Sequence, residues 1–204
     1  MKQKVKEEIK SSPMIPKSKE AQELFQLMKS HVYRYSEKPF LLASGRESNH
    51  YFNCKEITLH PDRLTLLAKV FAIDIIPTIQ ELSGLSLESV GGLTLGADPI
   101  SYAIALEYSK SGKMVYPLVV RKETKDHGTK KKIEGFFQAV KSCLVVDDVI
   151  TTGGSTLKAV DSLREAGLTV NSGICILDRE EGGRELLESN GIRMYSIFQK
   201  SDFF

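Results

Sequence analysis

Apolar positions along the 204-residue chain recur with two different periods, and the change from one to the other marks its elements. Ala21, Leu24, Phe25, Met28 and Val32 trace one helical face, with Ser18 as its N-cap and Glu20 and Glu23 in its first turns. Residues 39–55 then predict two short strands around a turn at 44–49. Residues 57–61 lead into a second helix from Asp62, with Leu64, Leu67, Ala68, Phe71 and Ile75 inward. Pro77 is expected to kink or end it, and His60 reads as a structural residue at its entrance. From residue 89 the pattern alternates. Runs at 89–93, 114–120, 143–146, 170–177 and 193–198 read as strands, and the one at 143–146 is short and β-branched enough to be buried on both faces. Helical stretches separate them, through Ile100, Ala103, Ile104 and Leu106, through Leu157, Val160 and Leu163, and over 185–189. Gly167 is placed as a C′ stop. This order predicts an α/β fold with a mostly parallel central sheet flanked by helices.

Residues 1–17 carry Pro13, Pro16 and many charges but few apolar side chains, so they read as a mobile extension to a single domain at 18–204. Net charge is +2, with acids and bases nearly balanced, which gives no global case for nucleic acid or an acidic membrane surface. No apolar run reaches the length of a membrane span, and the lysine-rich start lacks a signal-peptide core. Cys54, Cys143 and Cys175 show no metal-ligand spacing and read as reduced, buried thiols of a cytoplasmic protein.

The chemistry gathers at 143–156, where an apolar strand meets Asp147 and Asp148, then small hydroxyl residues around Gly153 and Gly154, then a helix. Glycines admit an anion to the backbone, and the helix N-terminus behind them offers unpaired N–H groups. A phosphate monoester fits there. The two carboxylates are acceptors, suited to vicinal ribose hydroxyls or to a metal ion through bridging waters. The ligand implied is a ribose 5-phosphate. Neither a P-loop nor a dinucleotide fingerprint is present. Arg179, at the end of a later strand, faces the ligand crevice of such a sheet, and its planar fork suits a carboxylate. A surface salt bridge to Glu180 or Glu181 is the simpler alternative.

The stretch CLVVDDVITTGGST resembles the phosphoribosyl pyrophosphate motif of type I phosphoribosyltransferases. That resemblance implies their fold, and contacts to phosphoribosyl pyrophosphate from Asp147, Asp148, Val149, Ile150, Thr151, Thr152, Gly153, Gly154 and Ser155. Three further segments resemble orotate phosphoribosyltransferases: PFLLASGRESNHYFN at 39–53, RKETKDHG at 121–128 and LDREEGG at 177–183. The first implies a small hood, formed largely by about residues 18–60, over a core at about 61–204, with Tyr51 and Phe52 beside the base. Ala43 stands where many bacterial members carry lysine, and Leu95-Gly96 where some carry tyrosine-lysine. The second implies a mobile loop, 122–132, that acts on the neighbouring subunit of a homodimer. Arg121, Lys122, Lys125 and His127 would bind phosphoribosyl pyrophosphate there, with Lys125, Asp126 and His127 catalytic. The third implies that Arg179, together with Thr151, binds orotate.

The reaction expected by resemblance gives orotidine 5′-monophosphate and pyrophosphate, with Mg²⁺ carried by the diphosphate and water-bridged to Asp147 and Asp148. Positive charge developing on the ribose calls for carboxylates, and negative charge on the leaving group for cations. His127 is placed to protonate the departing oxygen. The rival readings are a phosphoribosyltransferase for a purine or other base, and a non-catalytic phosphoribosyl pyrophosphate sensor that binds RNA through Lys130, Lys131 and Lys132. The three lysines lack the interleaved aromatics of a base-reading surface.

Overall fold

Ser18 caps the first helix as its sequence position predicts: its Oγ accepts the Ala21 N–H at 3.0 Å and donates to Asp74 at 2.5 Å. Such a cap contributes about 1 kcal/mol. The computed structural model describes residues 18–41, 47–122 and 132–204. The extension at 1–17, Ala43 and the loop residues 123–131 lie outside them.

α1 (Lys19–Leu27) runs into a wider π turn, Met28–Val32, and buries Ala21, Leu24, Met28 and Val32. β1 (Tyr33–Leu41) and β2 (Glu47–Phe52) pair antiparallel. β1 begins well before the expected residue 39. The Tyr33 hydroxyl meets His50 Nδ1 at 2.9 Å, and its ring packs 5.1 Å from Phe52, so cross-strand contacts carry the pairing through a polar stretch with no alternating signal. α2 (Lys55–Thr58) is a single helical turn. α3 (Pro61–Val70) passes through a π turn, Phe71–Ile75, into α4 (Ile76–Ser83), with Pro77 in the first turn of α4. The helix therefore continues past Pro77, because the π turn has already shifted the hydrogen-bond register that a proline interrupts.

The remaining elements are β3 (Ser89–Leu93), α5 (Ala97–Ser109), β4 (Tyr116–Val120), β5 (Ile133–Glu134), β6 (Leu144–Ile150), α6 (Gly154–Glu165), β7 (Ser172–Asp178), α7 (Gly183–Ser189) and β8 (Arg193–Gln199). Gly167, at φ +89°, follows α6 as expected. The six-stranded sheet has the order β5-β4-β3-β6-β7-β8, parallel except for β5. The chain leaves β3 for β4 on one side and returns to place β6 on the other. That reversal opens a crevice at the carboxyl ends of β3 and β6.

Side chains alternate across the sheet. Leu144 and Val146 pack with buried residues of α1 and α3–α5, whereas Val145 packs with Ala159, Val160 and Leu163 of α6. Both faces are covered, as the continuous apolar strands predict. The three cysteines are buried and free, and burial pushes the Cys143 thiol up to about 12. Among the described residues no helix is long and apolar enough to cross a membrane.

Candidate active site

β6 carries the acidic pair within its last residues, and alternation sends the two carboxylates different ways. Asp147 points toward α6, where its Oδ2 accepts Thr156 Oγ1 at 2.7 Å and Ser155 Oγ at 3.4 Å. Asp148 lies 3.8 Å from Lys55 Nζ on α2. The loop after β3 brings them together again. A Cβ on Gly96 would stand 2.6 Å from Asp148 Oδ1 and 3.0 Å from Asp147 Oδ1, so both oxygens face one space that only glycine leaves open. Burial raises the Asp147 carboxyl to about 7, against the Thr156 hydroxyl that favours its charged form, and the neighbouring Asp148 charge adds to the rise.

Beyond β6 the chain turns through Gly153, at φ +77°, into α6. Gly154, Ser155 and Thr156 occupy the first turn, whose N–H groups have no carbonyl of their own helix to meet. This turn rests directly on the start of α7: a Cβ on Gly183 would stand 2.8 Å from Gly153 N and overlap the Thr151 carbonyl oxygen. Gly183→Ala is therefore expected to displace the turn and destabilise the fold by about 1–3 kcal/mol, checked by denaturant unfolding.

Arg179 follows β7 on the same side of the sheet. It is 8% exposed, its Nη2 meets Glu181 Oε1 at 2.8 Å, and its backbone N–H donates to the Ile150 carbonyl at 2.9 Å. Its Nε is buried with no hydrogen-bond partner among the described residues. The pair with Glu181 is thus largely buried, unlike the surface bridge weighed as the alternative. Tyr51 and Phe52 part company. Phe52 is buried against Tyr33 and Phe203, with centroids at 5.1 and 5.2 Å, whereas Tyr51 is exposed beside Phe40. Phe52 serves the core, and Tyr51 faces outward.

Arg121 is held by Glu134 of β5, through Nη2 at 2.8 Å and Nε at 3.0 Å. With Lys122, Lys132, Ser155 and Lys158 it lines a hollow of about 540 Å³ beside α6, which Asp161 and Glu165 also border. Lys132 pairs with Glu165 at 3.3 Å. Lys125, Asp126 and His127 lie outside the described residues.

No family model matches the chain. The orotate phosphoribosyltransferase of Leptospira biflexa is 65% identical over 181 residues, covering 89% of this chain and 96% of that protein. The chain belongs to the orotate phosphoribosyltransferase family. Its fold agrees with that assignment: the orotate phosphoribosyltransferase of Mycobacterium tuberculosis H37Rv superimposes with a TM-score of 0.69 at 32% identity, covering 89% of this chain and 97% of that one. A second structure of the mycobacterial enzyme, in complex with phosphoribosyl pyrophosphate, matches with a TM-score of 0.65 at 27% identity, covering 92% and 93%.

In this orotate phosphoribosyltransferase-family chain, Asp147, Asp148 and the 151–155 turn gather at the crevice, with Val149 and Ile150 supplying strand backbone beneath it. Lys55 escaped the sequence reading, and so did the particular contacts that Thr156 and Gly96 make with the acidic pair. Lys55 is remote from Asp148 in the chain, Thr156 looked like the end of a phosphate turn, and the fit of Gly96 against both carboxylates depends on how β3 lies beside β6. A lysine directly after the hood strand was the available hint for the first.

Proposed function

We infer that the chain joins orotate to the anomeric carbon of phosphoribosyl pyrophosphate, forming orotidine 5′-monophosphate and pyrophosphate. The convergence of Asp147 and Asp148 on the space beside Gly96, next to the α6 N-terminus, carries this reading. The α6 N–H groups hold the 5-phosphate. The carboxylates accept ribose hydroxyls and oppose the positive charge that grows as the bond to the diphosphate breaks. Arg179 orients orotate through its carboxylate, with Thr151 and Tyr51 beside the base. Lys122 and the loop residues Lys125 and His127 meet the leaving diphosphate, His127 donating a proton to it, and Asp126 completes the loop's catalytic group. Arg121 joins them by exchanging Glu134 for phosphate. Loss of orotate near-ultraviolet absorbance that requires protein, orotate, phosphoribosyl pyrophosphate and Mg²⁺ together is the expected result. Binding of the donor without that loss would turn the reading toward another base.

The donor set fits Mg²⁺ that arrives on the diphosphate. Asp147 and Asp148 face the space beside Gly96 and suit water-bridged contact with the ion. Bound there, Mg²⁺ would supply positive charge beside the leaving group. Reduced, buried cysteines fit a cytoplasmic setting.

A raised Asp147 carboxyl has a consequence for binding. Its proton is retained below about pH 7 in the free protein, and a ligand that needs the carboxylate as acceptor must expel it. Affinity for phosphoribosyl pyrophosphate is therefore expected to rise with pH up to about 7 and then level off. For the free protein the sign is opposite: stability associated with the protonated carboxyl is full below the ordinary value of 3.8 and is lost as pH rises through about 7. Calorimetry in two buffers of different ionisation enthalpy measures the proton released on binding, and Asp147→Asn separates it from titration of the ligand's own phosphate.

The chain acts as a homodimer whose 122–132 loop reaches the neighbouring site. What supports a second copy is an open groove of about 740 Å³ lined by Leu59, Leu64, Leu95, Tyr102 and Leu106, contiguous with the Gly96 loop. Mixing Lys125→Ala with Asp148→Ala subunits is expected to restore activity neither variant has alone. Heterodimers without such recovery would place the loop in its own subunit.

A further inference from the structure

Among the described residues Glu180 is the only non-glycine with positive φ, at 55°. A β-carbon makes that left-handed conformation unfavourable, so a glutamate held there needs a compensating contact. The contact is with the carboxyl-terminal turn, Lys200–Phe203: Glu180 Oε2 accepts the Ser201 N–H at 2.8 Å, and Oε1 accepts Ser201 Oγ at 3.1 Å. The same peptide is gripped from the other side. Asp178 Oδ1 accepts the Glu180 N–H at 2.9 Å, and Asp178 Oδ2 accepts Arg184 Nε at 2.9 Å. Arg179 stands between these two fixed residues.

The carboxyl-terminal turn is anchored in turn to the hood. Asp202 Oδ2 accepts the Gln199 N–H at 2.7 Å and closes the turn on itself. The Phe203 ring is buried 5.3 Å from Phe25 of α1, 5.6 Å from Tyr33 of β1 and 5.2 Å from Phe52 of β2. Phe204 lies 4.3 Å from the His50 ring of β2. One short segment thus joins the strand that carries Tyr51 to the turn that carries Arg179. Main-chain geometry alone does not require this, since glycine at 180 would adopt the same φ without the link.

We propose that the carboxyl-terminal turn, acting through Glu180, fixes the distance between Arg179 and the hood and so sets the preference for a base that bears a carboxylate. Glu180 is a positioning residue in this scheme; it touches neither substrate. The proposal rests on the orotate reading given above. A carboxylated pyrimidine must reach Arg179 while its ring stays under Tyr51, and a ring without the carboxylate has only the second demand. Slack between the two walls therefore penalises the first ligand selectively.

The test is Glu180→Gly, which removes both hydrogen bonds and accepts the backbone conformation without strain. Its KM for orotate is expected to rise about fivefold, as for the loss of a partly exposed charge-assisted contact. The KM for phosphoribosyl pyrophosphate and the melting temperature are expected to stay at wild-type values, and the ratio of kcat/KM for orotate over uracil to fall by a similar factor. Glu180→Gln, which keeps an acceptor oxygen, should recover most of the loss. An unchanged orotate KM and preference in Glu180→Gly overturns the proposal, and so does an equal rise in both KM values, which would make the turn a general support. Wild-type protein that binds phosphoribosyl pyrophosphate but never consumes orotate overturns the underlying reading as well, and is seen before any variant is compared.

Discussion

Arg179→Ala is expected to lower kcat/KM for orotate by about a hundredfold, since a hydrogen bond to a charged group contributes about 1.5–3 kcal/mol and the guanidinium offers a fork of them. The loss should appear mainly as a higher KM for orotate, with phosphoribosyl pyrophosphate binding retained. Alanine also breaks the ion pair with Glu181, in which the arginine side chain is 9% exposed, and the fold would weaken for that separate reason. Arg179→Lys divides the two effects: it keeps a cation beside Glu181 but loses the planar fork. Steady-state kinetics on both variants, with melting curves alongside, makes the check. A lysine variant with wild-type orotate kinetics would remove the bidentate role from Arg179.

Gly96→Ala should cripple use of phosphoribosyl pyrophosphate while leaving the fold almost intact. The added methyl would stand 2.6 Å from Asp148 Oδ1 and 3.0 Å from Asp147 Oδ1, and side-chain carboxylates yield more cheaply than backbone. They would yield out of the geometry that a ribose needs. Overpacking of this kind costs about 1–3 kcal/mol, and here it falls on the bound state, so affinity is expected to drop about thirtyfold. Titration of the donor against wild-type and variant protein measures it directly. An unaltered affinity would mean that the space beside Gly96 is not where the sugar and diphosphate lie.

Much of this site was legible in the linear order of residues 143–156, because strand, acidic pair, glycine turn and helix start are properties of near neighbours. Ser18 as a cap, Gly167 as a stop and the three buried thiols were legible for the same reason: capping, turn chemistry and apolar periodicity act over a few residues. The hood was read less well. Tyr51 and Phe52 look alike in sequence, yet strand pleating puts one ring outside and the other against Phe203, which lies about 150 residues further along the chain.

Pro77 marks the same boundary between local and distant causes. Its own chemistry predicts an interruption, but the π turn before it lets the helix continue under a packed core. Arg121 is basic in any reading, while its pairing with Glu134 exists only because β5 folds back antiparallel to β4.

By itself the sequence determined most of the elements, the covered and mostly parallel sheet, and the order of strand, acidic pair, glycine turn and helix at 143–156. The tertiary structure alone decided that β6 lies beside β3, so that Gly96 meets Asp147 and Asp148, that Lys55 approaches the second carboxylate, and that the carboxyl-terminal turn bonds to Glu180. The reason is physical: caps and periodicity are set by energies between residues a few positions apart, whereas strand order and these contacts are set by which distant apolar faces bury each other.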